Sequence, residues 1–207
     1  PTMLMGATLP AIAKWPAFAL GASAGRPRDD AEAAGLLYMA NLAGGGTGML
    51  WSVPDAKSIA PLPGVDRVAM FSPDDKLIAG CCQQVTVWTR KGEPWLALTS
   101  AALTGTPEVV TFSADSRRLA VGLGGQHPAF AVYDLESKQQ LARYQEKYSG
   151  NATAIAFAPN GELFVALRDT IEVYDPATWQ LARTLAPKLG PIHRLAFSPN
   201  GRFLAVS

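Results

Sequence analysis

Short runs of apolar or alternating residues follow one another along most of this chain, each closed by Asp, Asn, Gly or Pro. One stretch shows the pattern well: Thr153–Phe157, Leu163–Leu167, Thr170–Tyr174 and Gln180–Leu185 are four such runs in close succession. They are rich in β-branched and aromatic residues, and no helix-length segment with a 3.6-residue period interrupts them, so the pattern predicts strands. The punctuation is specific as well. "PDD" and "PNG" suit tight turns, because Pro holds φ near −65° and Gly, Asn or Asp tolerates positive φ.

The runs repeat. "FSPDDKLIAG", "FSADSRRLAVG", "FAPNGELFVAL" and "FSPNGRFLAVS" begin at Phe71, Phe112, Phe157 and Phe197, spaced 41, 45 and 40 residues apart. The first three are followed by "VTVW", "FAVYD" and "IEVYD", whose aromatics Trp88, Tyr133 and Tyr174 lie 17, 21 and 17 residues after the phenylalanine. The longer middle interval falls in "GGQHP", a loop composition. A glycine stands seven residues before each phenylalanine (Gly64, Gly105, Gly150, Gly190), and "QLAR" occurs at Gln140–Arg143 and again at Gln180–Arg183. Four short strands in every ~40 residues predict an all-β chain of β-propeller blades.

These residues resemble the WD40 repeat, with its FSPDG-type turn and its third strand ending in Trp-Asp. The resemblance runs over residues 36–207 and includes "GGTGMLWSVPDAK". It implies a propeller of four-stranded blades, about four units plus a partial fifth, whose rim loops bind other proteins. The family's Gly-His is absent: Gly64-Val65, Gly105-Thr106, Gly150-Asn151 and Gly190-Pro191 stand in its place, and Tyr replaces Trp at 133 and 174. Apolar packing is therefore expected to do the work of the family's buried His–Asp network. A YVTN-type or TolB-like propeller shares the architecture and stays open as a reading.

Residues 1–13 read as a flanking strand or tail and 14–60 as a degenerate unit, with "KWPAFAL" and "GLLYMA" as strands on either side of a long polar insertion. Units at 61–101, 102–146 and 147–186 follow, then a partial unit at 187–207. Ala22-Ser23-Ala24 resembles a signal-peptidase site, but Lys14, Pro10 and Pro16 interrupt the apolar stretch before it. Seven blades need ~280 residues at ~40 each, against 207 in this chain. The expectation is a fragment of one propeller, the alternative being a five-bladed ring closed by residues 1–13.

Composition narrows the chemistry. Lys plus Arg number 18 and Asp plus Glu 17, a net charge of +1 without a basic block, which argues against a dedicated nucleic-acid or membrane surface. Cys81 and Cys82 are adjacent and are read as packing residues. Two histidines, His127 and His193, are too few for a histidine metal cluster. No Cys-x-x-Cys, H-E-x-x-H or P-loop sequence occurs. "GGGTG" at Gly44–Gly48 precedes a strand, so it reads as a hairpin loop and lacks the helix N-terminus that holds phosphate. No cofactor or metal is expected. Asn151-Ala152-Thr153 matches a glycosylation sequon, which has meaning only in a secreted protein.

One further pattern bears on function. Four residues before each phenylalanine stand Arg67, Glu108, Thr153 and His193, polar at the start of an otherwise apolar strand. Side-chain alternation would put them on the side of the phenylalanines. The second-strand exits add Gln83, His127, Arg168 and Asp169 on the same rim; strands that simply begin at a wet surface would give the same pattern. The candidate partner-binding residues are Arg67, Glu108, His127, Arg168, Asp169 and His193. The expected function is a non-catalytic interaction scaffold or subunit of a larger assembly, located in the cytoplasm, with the periplasm or secretion as alternatives. The competing reading is the propeller domain of an enzyme, such as a peptidase gating domain or a quinoprotein- or lactonase-type propeller, with its catalytic residues outside this chain.

Overall fold

A computed structural model describes residues 35–40, 47–52, 56–65, 68–81, 84–99, 103, 105–125, 129–145 and 152–207. "KWPAFAL" and the Ala22–Ala24 segment lie outside them. The described residues form antiparallel sheets in chain order. The first joins β1 (Gly35–Ala40), β2 (Thr47–Ser52) and β3 (Lys57–Pro63). The second joins β4 (Val68–Phe71), β5 (Leu77–Cys81), β6 (Gln84–Thr89) and β7 (Pro94–Thr99). The third contains β8 (Thr106–Phe112), β9 (Arg118–Gly124), β10 (Ala129–Asp134) and β11 (Gln140–Gln145). The fourth contains β12 (Ala152–Phe157), β13 (Leu163–Leu167), β14 (Thr170–Tyr174) and β15 (Leu181–Leu185). A two-stranded sheet of β16 (Leu195–Phe197) and β17 (Leu204–Val206) comes last. Three four-stranded up-and-down sheets in succession have the form of propeller blades.

The repeated words become repeated geometry. In the hairpins β4–β5, β8–β9, β12–β13 and β16–β17, the fourth residue after the phenylalanine is Asp75, Ser116, Gly161 or Gly201, each with positive φ. In three of them a serine hydroxyl completes the turn. Ser72, Ser113 and Ser198 donate to Asp74, Asp115 and Asn200 and accept from the N–H of Leu77, Arg118 and Phe203. The fourth has Ala158 there and closes one residue sooner, with the Ala158 N–H donating to Glu162. Of "GGGTG", Thr47 and Gly48 open β2 and pair with Ala40 and Met39, while Gly44, Gly45 and Gly46 lie outside the described residues.

Consecutive sheets bury their apolar faces against one another. Leu50 and Leu62 of the first sheet, with Val65 just beyond it, meet Ile78 and Trp88 of the second. Ala79, Val85 and Val87 meet Phe112, Leu119, Val121 and Tyr133 of the third. Phe130 and Val132 then meet Ile155, Phe157, Leu163 and Tyr174 of the fourth. On the fourth sheet's other face, Phe164, Ala166 and Val173 meet Leu195, Phe197, Leu204 and Val206. The motif phenylalanines differ in burial: Phe112 and Phe157 are buried, while Phe71 and Phe197 are half-buried. Apolar packing holds these junctions, reinforced by the edge contact of Phe130 with Tyr174, ring centroids 4.5 Å apart.

Two details differ from the sequence reading. The two "QLAR" copies are out of register by one residue, since Tyr133 pairs with Gln140 but Tyr174 pairs with Leu181. A one-residue shift turns each side chain to the opposite face. Arg143 accordingly donates to the carbonyl of Leu103, before the third sheet, at 2.7 Å. Arg183 instead stacks over Phe164 on the face toward the last sheet and forms a two-pronged ion pair with Glu162. The second difference lies at the start of the first strands. Register shifts between Pro107 and Val109 and between Ala152 and Ala154 make Glu108 and Thr153 bulged residues. A bulge interrupts alternation, so Thr153 does not share the side of Phe157.

Candidate functional site

At the junction of the fourth and fifth sheets, backbone and hydroxyl groups draw a loop against a turn. The loop spans residues 186–194 and the turn is Arg168-Asp169, the two residues between β13 and β14. Ile192, fully buried, anchors the loop in the core beside Ala154, Ala166 and Ile171. Its N–H donates to the Arg168 carbonyl at 2.5 Å, and its carbonyl accepts from the Thr153 hydroxyl at 2.5 Å. The Thr153 hydroxyl also lies 3.3 Å from the Ala166 carbonyl. The N–H groups of His193 and Arg194 both point to the carbonyl of Ser207, at 2.6 and 3.1 Å.

These ties bring three sequence-named positions, Thr153, Arg168 and His193, to one rim. Arg168, Asp169 and His193 are exposed. Glu108 occupies the corresponding bulge one sheet earlier and is half-buried. Its side chain lies over Gly124, where an added Cβ would stand 2.8 Å from the carboxylate oxygen, so the glycine leaves room for the carboxylate. Arg67, Gln83 and His127 lie outside the described residues. The same rim presents Lys188, Leu189 and Arg194, all exposed, which the strand-start pattern does not reach. The turn signal in "PKLGP" marks their loop but says nothing of its position beside Arg168.

The opposite ends of the strands carry a different arrangement. A groove of about 340 Å³ lies between the third and fourth sheets, lined by Asp115, Arg118, Pro159, Asn160 and Pro176 among others. Arg118 bridges it, donating to the Pro176 carbonyl at 3.3 Å and stacking over Trp179 at 5.4 Å. Burial alone would raise the Asp115 carboxyl, but the Ser113 hydroxyl and the Arg117 N–H outweigh it and hold the group below its ordinary range. Asp134 and Asp175 are lowered chiefly by backbone N–H donors from Ser137 and Thr178. Each of these carboxylates is committed to a turn.

Among the described residues, no three His, Cys, Asp or Glu side chains come together as metal ligands, and no helix is long and apolar enough to cross a membrane. Gly21-Ala22-Ser23-Ala24-Gly25 fits the G-x-S-x-G pattern, which carries a nucleophile only on a strand–turn–helix elbow; it lies outside the described residues. No family model matches the chain. Over 95 residues the chain is 32% identical to a protein of Synechocystis sp. described as an uncharacterized WD repeat-containing protein. The match takes in 44% of this chain and 26% of that protein, so the chain spans about a quarter of its relative's length.

Proposed function

We propose that the chain is a WD40-like β-propeller segment that serves as a protein-interaction scaffold, binding other proteins through the rim where first strands begin and second strands end. The observation that carries this reading is the exposed rim set of Arg168, Asp169, Lys188 and His193, mounted on sheets whose faces are packed sheet against sheet. Loops fixed on a stiff base bind with little ordering cost. The similarity to a WD-repeat protein points the same way.

The test is quantitative affinity purification of the tagged chain from its own cells, comparing Arg168→Ala and Glu108→Ala with Lys91→Ala in the β6–β7 turn at the other end. Exposed charges contribute under ~1 kcal/mol to stability, so Arg168→Ala and Lys91→Ala should keep the wild-type circular dichroism, and half-buried Glu108→Ala is compared only where its spectrum matches theirs. The rim variants should lose specific co-purifying proteins, with an effect of ~2 kcal/mol or more if either charge sits at an interface centre. Folded rim variants that retain every partner would refute the reading. So would turnover of a small molecule that His193→Ala abolishes.

A further inference from the structure

Resting on that reading, we propose that the rim between the fourth and fifth sheets recognises an acidic segment of a partner protein, seating one of its apolar side chains on Leu189. Leu189 is 64% exposed. It stands three residues from Ile192, hence within about 10 Å of it even at full extension, and Ile192 is bonded to Arg168. The loop that carries Leu189 therefore lies against the Arg168 turn, and the two segments together expose Lys188, Arg168, Arg194 and the imidazole of His193 against one carboxylate, Asp169. Among the described residues none of these five polar side chains is held in a hydrogen bond or ion pair. Their charge is available to a ligand. An apolar anchor ringed by polar groups is the arrangement in which a few residues dominate binding, and the excess of cations steers an acidic partner.

Backbone strain marks the same spot independently. Seven described non-glycine residues have positive φ. Five occupy recurring turn positions: Asp75 and Ser116 after the first strand of their sheets, Ala56, Lys138 and Trp179 before the last strand of theirs. The other two are Arg168 and Lys188, each at φ 58°. Arg168 opens a two-residue hairpin loop, where glycine usually supplies positive φ at that position. Holding long cationic side chains in the left-handed region costs stability that glycine would spare. Both strained residues outside the recurring turns are cations of this rim.

The experiment titrates the 207-residue chain into a fluorescein-labelled peptide of aspartate and glutamate with two central leucines, read by anisotropy. Two comparison probes are the same peptide with serines for the leucines and an oligothymidylate of equal charge. Saturable binding that weakens with salt is expected, with a loss of at least ~10-fold for Arg168→Glu combined with Lys188→Glu and about 10-fold for Leu189→Ser. Arg168→Gly and Lys188→Gly should weaken binding while Tm stays level or rises, which separates recognition from folding. The proposal is overturned if the wild-type chain does not bind saturably or if the substitutions leave affinity unchanged. Equal binding of the serine peptide or tighter binding of the oligothymidylate would overturn it as well. If partners still co-purify through the rim when this titration fails, the scaffold function stands and only the acidic specificity falls.

Discussion

Thr153 shows how much one hydroxyl can hold. It looks like an ordinary polar residue at the start of a strand, yet the bulge at Ala152–Ala154 turns it toward Ile192 and away from the side of Phe157. That side chain links the fourth sheet to the lead-in of the fifth. Thr153→Val keeps the shape and removes the donor, leaving the Ile192 carbonyl one hydrogen bond short. A loss of ~1–3 kcal/mol is expected, measured by urea denaturation. A valine variant as stable as wild type would show that the bond contributes nothing net. The alternation rule placed Thr153 on the wrong side because a bulge is invisible in hydrophobic periodicity: it changes the count of residues on one strand without changing their type.

At the scale of single elements, the turns before the fourth strands act as small acid-sensitive clasps. Asp134 accepts from the N–H and hydroxyl of Ser137, and Asp175 from the N–H groups of Ala177 and Thr178 and the Thr178 hydroxyl. Those donors favour the ionised form, so both folded-state values lie below the ordinary 3.8. A group depressed by folding stabilises the fold above its unfolded pKa and loses that contribution as pH falls through the folded one. Stability should therefore be level above pH 3.8 as far as these groups are concerned, and decline below it. Denaturation midpoints taken from about pH 6 down to about pH 2.5 should fall less steeply for Asp134→Asn combined with Asp175→Asn. An unchanged slope would exclude these turns as its source. Such turns are readable in "DLESK" and "DPATW", because the chemistry that makes them is local. The 17-residue intervals from Phe71 to Trp88 and Phe157 to Tyr174 hide a compensation. The fourth sheet has a shorter first turn and a second hairpin offset to match, pairing Leu163 with Tyr174 where the second sheet pairs Ile78 with Trp88.

Across the molecule, each sheet uses its neighbour as its solvent shield. The last described hairpin packs Leu195, Phe197, Leu204 and Val206 inward, while Phe203, Ala196 and Ala205 on the same strands or beside them face outward and are exposed, Phe203 by 69%. In the other units Ala79, Ala120 and Phe164, which correspond to Ala205, are buried. An apolar face exposed among the described residues invites association. Phe203→Lys should reduce self-association of the 207-residue chain in light scattering and change stability by under ~1 kcal/mol, since little burial is lost. If the lysine variant associates as strongly as wild type, this face is not the adhesive one.

The sequence by itself determined the strand class, the succession of four-run units, the turn chemistry after each motif phenylalanine and the apolar character of the junctions. These follow from short-range physics: side-chain alternation, β-branching and the few residues that tolerate positive φ. Tertiary structure decided which polar positions meet. "QLAR" reads alike at Gln140 and Gln180, yet a one-residue difference in pairing sends Arg143 to Leu103 and Arg183 to Glu162. Likewise Arg168 and Ile192 are 24 residues apart in sequence, and the loop that carries Lys188 reaches the Arg168 turn only because buried Ile192 docks its N–H on the Arg168 carbonyl. Register and long-range docking depend on packing between sheets, and no window of sequence contains both partners.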